Sequence, residues 1–344
     1  EIASCLVGSE MCIRDSNMIL VIVFDMGVAG VAIATVISQL ISCILVLRCL
    51  YMTDSSYQLR FSRLCMKKFY LVLALSGIMQ MGFGQAVDKS VDIPDLDNYQ
   101  TLKCDFHMHT VFSDGLVWPT VRVDEAYAEG LDAIAITEHL EYRPHKADIQ
   151  ADHNRSYEIM KKYAKDKGVI VIKGSEITRS MAPGHHNAIF ISDSNPLDTK
   201  EYKDAFRAAK SQGAFIFWNH PGWDSQQPEE TKWWDEHTYL YENGCMQGIE
   251  VANGDFYYPE ALQWCLDKKL TMLGTSDIHQ PIQTDIDFDK GEHRTMTLVF
   301  AKERTAEGIR EALENRRTAV FFKNQIIGEE QWLRELFGLS LIHI

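Results

Sequence analysis

The sequence predicts an α/β fold in which a parallel β/α barrel carries a functional site at one end. From residue 100 onward, short apolar runs alternate with amphipathic stretches of helical period, strand then helix, about seven times. This alternation favours a parallel barrel over a sandwich or a helix bundle. Histidine, aspartate and glutamate residues stand at the ends of these runs, where a barrel gathers its functional side chains. An open doubly wound sheet is the alternative, but no glycine-rich phosphate loop follows any run.

Short apolar runs predict the strands, and longer stretches with an apolar face predict the helices. The predicted strands lie at 102–107, 132–137, 168–174, 186–192, 213–218, 247–252, 270–275 and 295–301. The predicted helices lie at 119–129, 153–167, 200–212, 230–243, 258–268 and 305–316. A helix follows most of the strands, which is how a chain returns to begin the next parallel strand.

The first 86 residues differ from the rest in charge and composition. The 344-residue chain has a net charge of -14, but residues 1–86 carry six basic and five acidic side chains, so the remainder has a net charge of -15. All 12 histidines follow residue 100, and five of the eight cysteines precede residue 66. The acidic balance argues against a basic nucleic-acid groove, and the uneven composition indicates two unlike segments joined together.

Two apolar segments precede the predicted barrel. Residues 26–47 are 22 consecutive uncharged residues, long enough for a transmembrane helix. Residues 66–84 have the positive start, short apolar core and small terminal residues of a signal peptide, with cleavage expected after Gly84. Since such a signal works at an N-terminus, we expect the natural protein to begin at Met66 and to be periplasmic or secreted. Residues 85–100 are expected to be a polar linker.

The two ends of the chain carry resemblances of another kind. Residues 1–16 and 339–344 resemble translated sequencing-adapter sequence, and residues 17–62 resemble a late helix and tail of multidrug-and-toxin extrusion (MATE) transporters. We therefore interpret residues 1–65 as an artefact whose hydrophobic helix is spurious. Residues 324–344 are expected to be a truncated C-terminal extension.

The residues that carry chemistry come at or just after the predicted strand ends. They form the segments HMHTVFSDG, TEH, GSE, GHHN, NHP and TSDIH, which begin at His107, Thr137, Gly174, Gly184, Asn219 and Thr275. Residues two apart on a strand point to the same side, so the imidazoles of an HxH pair can share a ligand site. Imidazoles and carboxylates together suit Zn, Mn or Fe better than Ca or Mg. The sequence therefore predicts a metal site, in preference to scattered structural histidines.

In order and content these segments resemble the motifs of the PHP (polymerase and histidinol phosphatase) superfamily over residues 100–323. VWPTVRVDEAYAEGLDAIAIT, HLEYRPHK, NRSYE and EITR resemble more narrowly its exported phosphodiesterase branch named after Sb-PDE. The resemblance implies a distorted (β/α)7 TIM-like barrel at 101–323 that holds two or three divalent metals. It also implies a phosphoric ester hydrolase in which metal-activated hydroxide cleaves phosphodiester or phosphomonoester bonds.

Carried over by position, the resemblance implies three ligand sets. These are His107, His109, Glu176 and Asp277 for a first metal, Glu176, His185 and His220 for a second, and Asp114, His139 and His279 for a third. Glu138 stands where many members have aspartate, which puts its supporting role in doubt. His186 adjoins His185 where an aromatic residue is more usual. Strand alternation does not decide between these two histidines, and we prefer His185.

Several further residues are candidates for catalysis or support. The expected catalytic set is His220, Arg179, His145 and Arg143, of which the last three stand where a phosphate could be clamped, with ordinary surface charge as the alternative. The residues expected to orient metal ligands are Glu250 and Asn253. The tryptophans that leave open either an aromatic substrate wall or simple packing are Trp218, Trp223, Trp233 and Trp234. The histidines expected at the surface are His237 and His293.

The leading interpretation is an exported, metal-dependent phosphoesterase that acts on a small-molecule phosphate ester, with neither a nucleic-acid partner nor a stable membrane partner. Histidinol phosphatase is an alternative that the export signal disfavours, and a proofreading nuclease is disfavoured by the acidic charge. A transporter fused to a PHP domain and a metal-binding protein without catalysis are the remaining alternatives. The sequence leaves the substrate, the metal identity and the oligomeric state open.

Overall fold

The computed structural model describes residues 89–342, with side chains as far as residue 338. These residues belong to the second of two units, Val87–Ile344. Among them, no helix is both long enough and apolar enough to cross a membrane. The predicted apolar helix at 26–47, the signal peptide at 66–84 and the segments resembling adapter and transporter sequence at 1–62 lie outside the described residues. They therefore stay predictions.

Eleven strands form one mixed sheet within residues 89–342. They are β1 Gln100–Asp105, β2 Ala133–Ile136, β3 Ile170–Ile177, β4 His186–Ile189, β5 Phe215–Trp218, β6 Gly248–Asn253, β7 Phe256–Tyr257, β8 Thr271–Thr275, β9 Met296–Ala301, β10 Thr318–Phe322 and β11 Gln325–Gly328. The helices are α1 Pro119–Ala128, α2 Arg155–Ala164, α3 Tyr202–Ser211, α4 Asp235–Glu242, α5 Pro259–Lys268, α6 Ile282–Asp285, α7 Ala306–Glu314 and α8 Glu330–Ile342. Each predicted strand and helix overlaps an observed one, which confirms the α/β class.

The sheet is parallel in part. Its order is β11-β10-β9-β1-β2-β3-β4-β5-β6-β7, and β8 pairs with β6. The pairs β1–β2, β2–β3, β5–β6 and β6–β8 are parallel, whereas β4 is antiparallel to both β3 and β5. The predicted all-parallel arrangement is therefore wrong at β4, and also at β9, which is antiparallel to β1. Only residues 178–185 separate β3 from β4, and a parallel crossover needs about a dozen residues or more.

The sheet is curled into a half-barrel, and the chain beyond β1 meets the chain beyond β8. The His109 N–H donates to Ile278 O at 3.1 Å, and the Asp277 N–H donates to His107 O at 3.0 Å. Met108 and Ile278 form a parallel bridge at the same place. These contacts bring two segments with predicted ligands side by side, although about 170 residues separate them along the chain.

The strands are buried on both faces where helices cover them. Every residue of β5 (FIFW) and of β9 (MTLVFA) is buried. Helix α3 turns Ala205, Phe206 and Ala209 inward and leaves its charged residues outside, as an amphipathic helix does on a sheet. The described cysteines are Cys104, Cys245 and Cys265, which are buried and free.

The chain beyond residue 323 packs against the sheet. Strand β11 pairs antiparallel with β10, and α8 follows it directly. Leu336 of α8 is buried, and the Trp332 Nε1–H donates to Arg316 O at 3.1 Å. At the other end, Leu96 is also buried and bridges to Tyr99 just before β1.

Candidate metal centre

The predicted ligands meet in one cluster at the strand ends. Within the described residues, three overlapping groups of side chains could each hold a metal ion, with ligand atoms that lie within 4.8 Å of one another. The groups are His107, His109 and Glu176; His139, Glu176 and His185; and His109, Asp114, His139 and His279. Asp277 and His220 adjoin these groups. All nine predicted ligands therefore lie together.

The first group centres on the two histidines after β1. The Nε2 atoms of His107 and His109 are 3.1 Å apart, which confirms that the two rings point to the same side. Asp277 Oδ1 lies 3.0 Å from His107 Nε2 and 3.1 Å from His109 Nε2. Glu176 Oε2 lies 3.4 Å and 3.3 Å from the same two nitrogens. Four candidate ligand atoms thus face one another.

Glu176 links this group to a second one. Its Oε1 atom lies 2.8 Å from His185 Nδ1 and 3.9 Å from His220 Nε2. Its Oε2 atom faces the first group and also lies 2.8 Å from His139 Nδ1. Each oxygen of one buried carboxylate thus faces a different set of imidazoles, which is the arrangement of a bridging ligand.

The third group forms around Asp114. Its Oδ1 atom lies 3.2 Å from His279 Nε2 and 3.4 Å from His139 Nε2. The ring of His109 packs against the rings of these two histidines, with its centroid 4.3 Å from each. His109 therefore belongs to this group as well as to the first.

Local backbone structure explains how the ligand loops reach these positions. Asp277 has a φ of 52°, a left-handed conformation that turns its side chain into the cluster. The preceding residue is held by Asp105, which accepts from the Ser276 N–H at 3.1 Å and from its hydroxyl. Gly115 lies against the backbone of His109 and Thr110, so that an added Cβ would stand 2.6 Å from the His109 carbonyl carbon. The loop that carries Asp114 requires a glycine there.

The donor atoms fit a divalent metal. Several buried oxygens in the cluster have no hydrogen-bond partner, namely Glu176 Oε1 and Oε2, Asp277 Oδ1 and Asp114 Oδ1. An unsatisfied buried carboxylate oxygen is costly unless a cation or a donor meets it. Imidazole nitrogens and carboxylate oxygens are the ligands of Zn, Mn and Fe sites.

The electrostatics of the cluster favour positive charge. Burial alone would raise the pKa of Asp277, but His107 and His109 outweigh it and hold that pKa well below its usual range. Burial would lower the pKa of His139, but Glu176 and Asp114 raise it to about 10. Burial dominates at His185 and lowers its pKa, so this ring stays neutral. The carboxylates thus attract cations, which are either protons on nearby imidazoles or metal ions in their place.

Glu250 orients two of the histidines. Its Oε1 atom accepts from His107 Nδ1 and from the Thr275 hydroxyl, both at 2.7 Å. Its Oε2 atom accepts from the His220 backbone N–H at 2.6 Å and from Asn253 Nδ2 at 2.9 Å. Because Nδ1 of His107 donates to a carboxylate, the lone pair of the ring is on Nε2, where it is available to bind a metal.

Glu138 supports the loop after β1. It accepts from the Thr110 hydroxyl and backbone N–H, and from Ser113 Oγ at 2.5 Å. Ser113 Oγ in turn lies 3.2 Å from His109 Nδ1. The glutamate therefore reaches His109 through a serine, which gives it a structural role at the position where the sequence left that role in doubt.

A cavity of about 280 Å³ opens onto the cluster. It is lined by metal-group residues, among them Asp114, His185 and Asp277. It is also lined by Trp223, Phe256 and Tyr258, together with Asn253. Among the described lining residues there is neither a lysine nor an arginine.

The comparisons with known proteins agree with this geometry. The PHP domain profile matches residues 105–273. A solved two-domain protein of Bacteroides vulgatus, described as containing a predicted PHP-like metal-dependent phosphoesterase, is 72% identical with a TM-score of 0.72, over 72% of this chain and 73% of that one. The chain belongs to the PHP domain family. An uncharacterized protein of Methanocaldococcus jannaschii is also 30% identical over 165 residues, which is 44% of this chain and 72% of that protein.

The predicted phosphate clamp does not line the cavity of this PHP domain. The Arg179 guanidinium donates to the carbonyls of Thr199 and Lys200 and pairs with Glu141 at 2.8 Å. The Arg143 guanidinium donates to Phe112 O and Ala151 O. Both arginines thus tie loops together.

His145, the third member of that clamp, accepts at its carbonyl from the backbone N–H groups of Asp148 and Ile149. The His145 ring does not line the cavity. Of the four predicted catalytic residues, His220 is therefore the one that the structure places in the PHP cavity.

Three histidines of the PHP domain have contrasting environments. His185 faces Glu176, whereas His186 points into the core, where its ring contacts Phe206 and Trp218. His237 is fully buried, so its predicted surface position is wrong. Its Nε2–H donates to Pro183 O at 2.7 Å, and its Nδ1 accepts from the Trp234 N–H at 3.1 Å.

Two buried residues of the PHP domain were missed by the sequence analysis. Arg122 on α1 donates to the carbonyls of His109, Ile278 and Gln280, at 3.0, 3.1 and 2.8 Å. Asp105 joins the turn at Ser276 to the buried Arg294 at 2.8 Å. Arg122 lies on a predicted helix, and a lone arginine there gives no signal that it reaches two ligand loops.

Proposed function

We propose that the chain is a metal-dependent phosphoesterase that hydrolyses phosphodiester or phosphomonoester bonds of small molecules. The observation that carries the proposal is Glu176, whose two buried oxygens lack hydrogen-bond partners and face two different sets of imidazoles. The solved relative of Bacteroides vulgatus is described with a predicted activity of the same kind, which supports the proposal.

The proposed ligand sets follow the three groups. His107, His109, Glu176 and Asp277 would hold one metal, with His185 and His220 joined to Glu176 for a second and Asp114, His139 and His279 for a third. We propose Zn, Mn or Fe in two or three of these positions. When bound, the metals supply a Lewis acid and lower the pKa of water toward neutrality.

The residues of this chain prepare the site for a phosphate. Glu250 holds His107 by its ring and His220 by its backbone, so these side chains are in place before substrate arrives. His185 and His220 line the cavity beside Asp277, next to the groups that would hold the metals. Since no lysine or arginine lines the described cavity, the negative charge of the phosphate would be met by the metals.

We also propose that the enzyme is exported and belongs to the phosphodiesterase branch whose motifs it resembles. The three-part pattern of residues 66–84 supports an exported protein whose mature form begins at Gln85. Expression in a bacterial host followed by N-terminal sequencing of the periplasmic fraction tests this. Recovery of the protein only in the cytoplasm with residues 66–84 attached would contradict it.

A panel of phosphate esters tests the activity of the purified protein. Hydrolysis should require metal, stop on chelation and return when Zn, Mn or Fe is added. We expect His107→Ala and Asp277→Asn each to lower kcat/KM by more than about 100-fold, with a matching loss of bound metal. His153→Ala is the control, because His153 pairs with Asp198 outside the cluster and its loss should leave activity unchanged. Full activity of either ligand variant would contradict the assignment of the metal ligands. Bound metal without hydrolysis of any ester in the panel would contradict the proposed phosphoesterase activity.

A further inference from the structure

Two chemically unlike kinds of side chain line the cavity at the metal centre. Histidine and aspartate side chains of the metal groups line it together with the aromatic residues Trp223, Phe256 and Tyr258. A phosphate held by the metal groups would therefore have aromatic side chains close to its substituents.

Trp223 lies directly beside two candidate ligands. Its ring centroid is 5.2 Å from that of His220 and 5.6 Å from that of His185. The Trp223 backbone N–H donates to His220 O at 3.0 Å, which fixes the loop after β5. The residue is nevertheless 42% exposed.

Phe256 is the second exposed aromatic residue that lines the cavity. It belongs to the short strand β7, which pairs with the end of β6 through Asn253. Strand β6 also carries Glu250, so the hairpin is tied to the residue that orients His107. Phe256 lines the cavity and is 63% exposed.

Packing does not account for these two exposed rings. The neighbouring Trp218 is buried and stacks on Trp264 at 5.4 Å, and Trp234 donates to Gln227. Trp223 is thus the one tryptophan of the predicted group that lines the metal cavity. A single exposed apolar residue needs no explanation, but two that converge on a polar site are typical of a ligand-binding surface.

We propose that Trp223 and Phe256 form a subsite for the alcohol part of the substrate, and that this part is aromatic or otherwise flat and apolar. The proposal rests on the proposed phosphoesterase function and adds a substrate class to it. Stacking on an aromatic wall favours a flat ring, and contacts of this kind are worth roughly three- to tenfold in affinity. The described cavity is lined by no lysine or arginine, so a second anionic group on the alcohol part would gain no ion pair with a cationic side chain there.

Matched esters isolate the contribution of the wall. Benzyl phosphate and ethyl phosphate both release an alkoxide on a CH₂ carbon, so they differ mainly in the ring. With the metal-loaded protein, we expect kcat/KM for benzyl phosphate to exceed that for ethyl phosphate about tenfold. Trp223→Ala and Phe256→Ala should each reduce that preference about threefold or more, because the loss falls mainly on the ester that carries the ring. Trp223→Phe, which keeps a ring, should restore most of the preference.

Trp234→Ala is the matched control, because Trp234 is similarly exposed at 41% but does not line the cavity. Equal rates for the two esters in the unaltered protein would overturn the proposal, as would an equal fall for both esters in Trp223→Ala with bound metal and melting temperature unchanged.

A binding measurement separates this proposal from the proposed function. Calorimetric titration with benzylphosphonate and ethylphosphonate needs no hydrolysis, and the benzyl compound should bind about tenfold more tightly. If neither ester is hydrolysed but this preference is present and is lost in Trp223→Ala, the aromatic subsite stands and the phosphoesterase function fails. If the esters are hydrolysed and the two phosphonates bind equally, the function stands and the subsite fails.

Discussion

At the scale of single residues, three histidines of the metal centre are held in the same way. The Nδ1 atoms of His107, His139 and His279 each contact an oxygen at 2.7 Å, on Glu250, Thr178 and the Asp277 carbonyl. In each case Nε2 faces a carboxylate of the cluster, and at His139 the Nδ1 atom also lies 2.8 Å from Glu176 Oε2. A fixed hydrogen bond at one ring nitrogen sets the tautomer and makes the other nitrogen available as a ligand.

Glu250→Gln tests this orientation. Glu250 accepts from four donors and donates to none, so the amide group of a glutamine would place its N–H₂ against one of these donors. We expect metal affinity to fall about 10- to 100-fold, measured by competition with a chelator. Glu260→Gln, on the exposed start of α5, should leave it unchanged. Unaltered affinity in Glu250→Gln would show that the hydrogen bond to His107 does not matter for binding.

His237 predicts a pH dependence of stability. Burial lowers the pKa of His237 to about 4, despite its hydrogen bond to the Pro183 carbonyl. Above about pH 6.5 the ring is neutral in both the folded and the unfolded chain. Between about pH 6.5 and 4 only the unfolded chain takes up the proton, so the free energy of unfolding should fall by about 1.4 kcal/mol per pH unit from this group.

Urea unfolding of the unaltered protein and of His237→Gln, at several pH values in this range, measures that dependence. Glutamine keeps a donor toward Pro183 O but does not titrate. The difference in stability between the two proteins should therefore shrink as the pH falls and level off below about pH 4. A difference that is the same at all pH values would contradict a neutral buried ring.

The residue scale also shows where sequence patterns stop being informative. The ligand set could be proposed from the motifs because histidine and carboxylate side chains at strand ends have few other uses. The partners of Arg179 could not be predicted from the motifs, because a guanidinium on a loop can donate to carbonyls as easily as to a phosphate. In the structure it donates to the carbonyls of Thr199 and Lys200. His237 was misplaced because its two partners, Pro183 and Trp234, come together only in the fold.

At the scale of elements, helix α1 connects the two ligand-bearing segments. Its Arg122 is fully buried and donates to carbonyls on both, at His109 and at Ile278 and Gln280. The same guanidinium pairs with Glu125 one turn later at 2.7 Å. The helix therefore stabilises the cluster through the backbone carbonyls of the two segments that carry the ligands.

Arg122→Met should destabilise the protein by about 3–5 kcal/mol, because it removes one donor from each of three carbonyls and the charged partner of the buried Glu125. Chemical denaturation of the metal-free protein measures this. Arg207→Met is the control: Arg207 also pairs with an acidic residue one turn away, Asp204, but both are exposed, so the change should stay within about 0.5 kcal/mol. Equal effects of the two changes would contradict the role given to Arg122.

Element positions were predictable to within a few residues, and the parallel direction was predicted correctly for most strands, but not for β4 or β9. The run at β4 was recognised as a strand from its residues, yet those residues carry no signal for antiparallel pairing. The length of the connection from β3, residues 178–185, is the signal that could have shown it. Strands β10 and β11 escaped prediction because they lie beyond the last repeated strand–helix unit.

At the scale of the whole molecule, the C-terminal strands pack across β8. Gly274 of β8 has room for no side chain, since an added methyl would overlap Cγ1 of Val320 on β10 and stand 2.9 Å from Met296 O. The Thr297 hydroxyl accepts a hydrogen bond from the Gly274 N–H and donates one to the Gly274 carbonyl. The Thr318 hydroxyl donates to Met272 O at 2.8 Å. Side chains thus join strands that share no backbone ladder.

Gly274→Ala should lower the free energy of unfolding by about 1–3 kcal/mol through overpacking, measured by urea denaturation. Gly338→Ala on α8 is the matched change, because nothing lies within 4 Å of the position. That change should be neutral or stabilise by up to about 1 kcal/mol. A neutral Gly274→Ala would show that β10 does not pack tightly on β8.

The meeting of the chain beyond β1 with the chain beyond β8 makes two amide protons natural reporters. The N–H groups of His109 and Asp277 each bond across that junction, and each lies at or beside a candidate ligand. Their deuterium exchange therefore measures how often the junction opens, separately from the unfolding of any one helix or strand. Slower exchange at these two amides upon addition of metal would give a direct, residue-level readout of ion binding in solution.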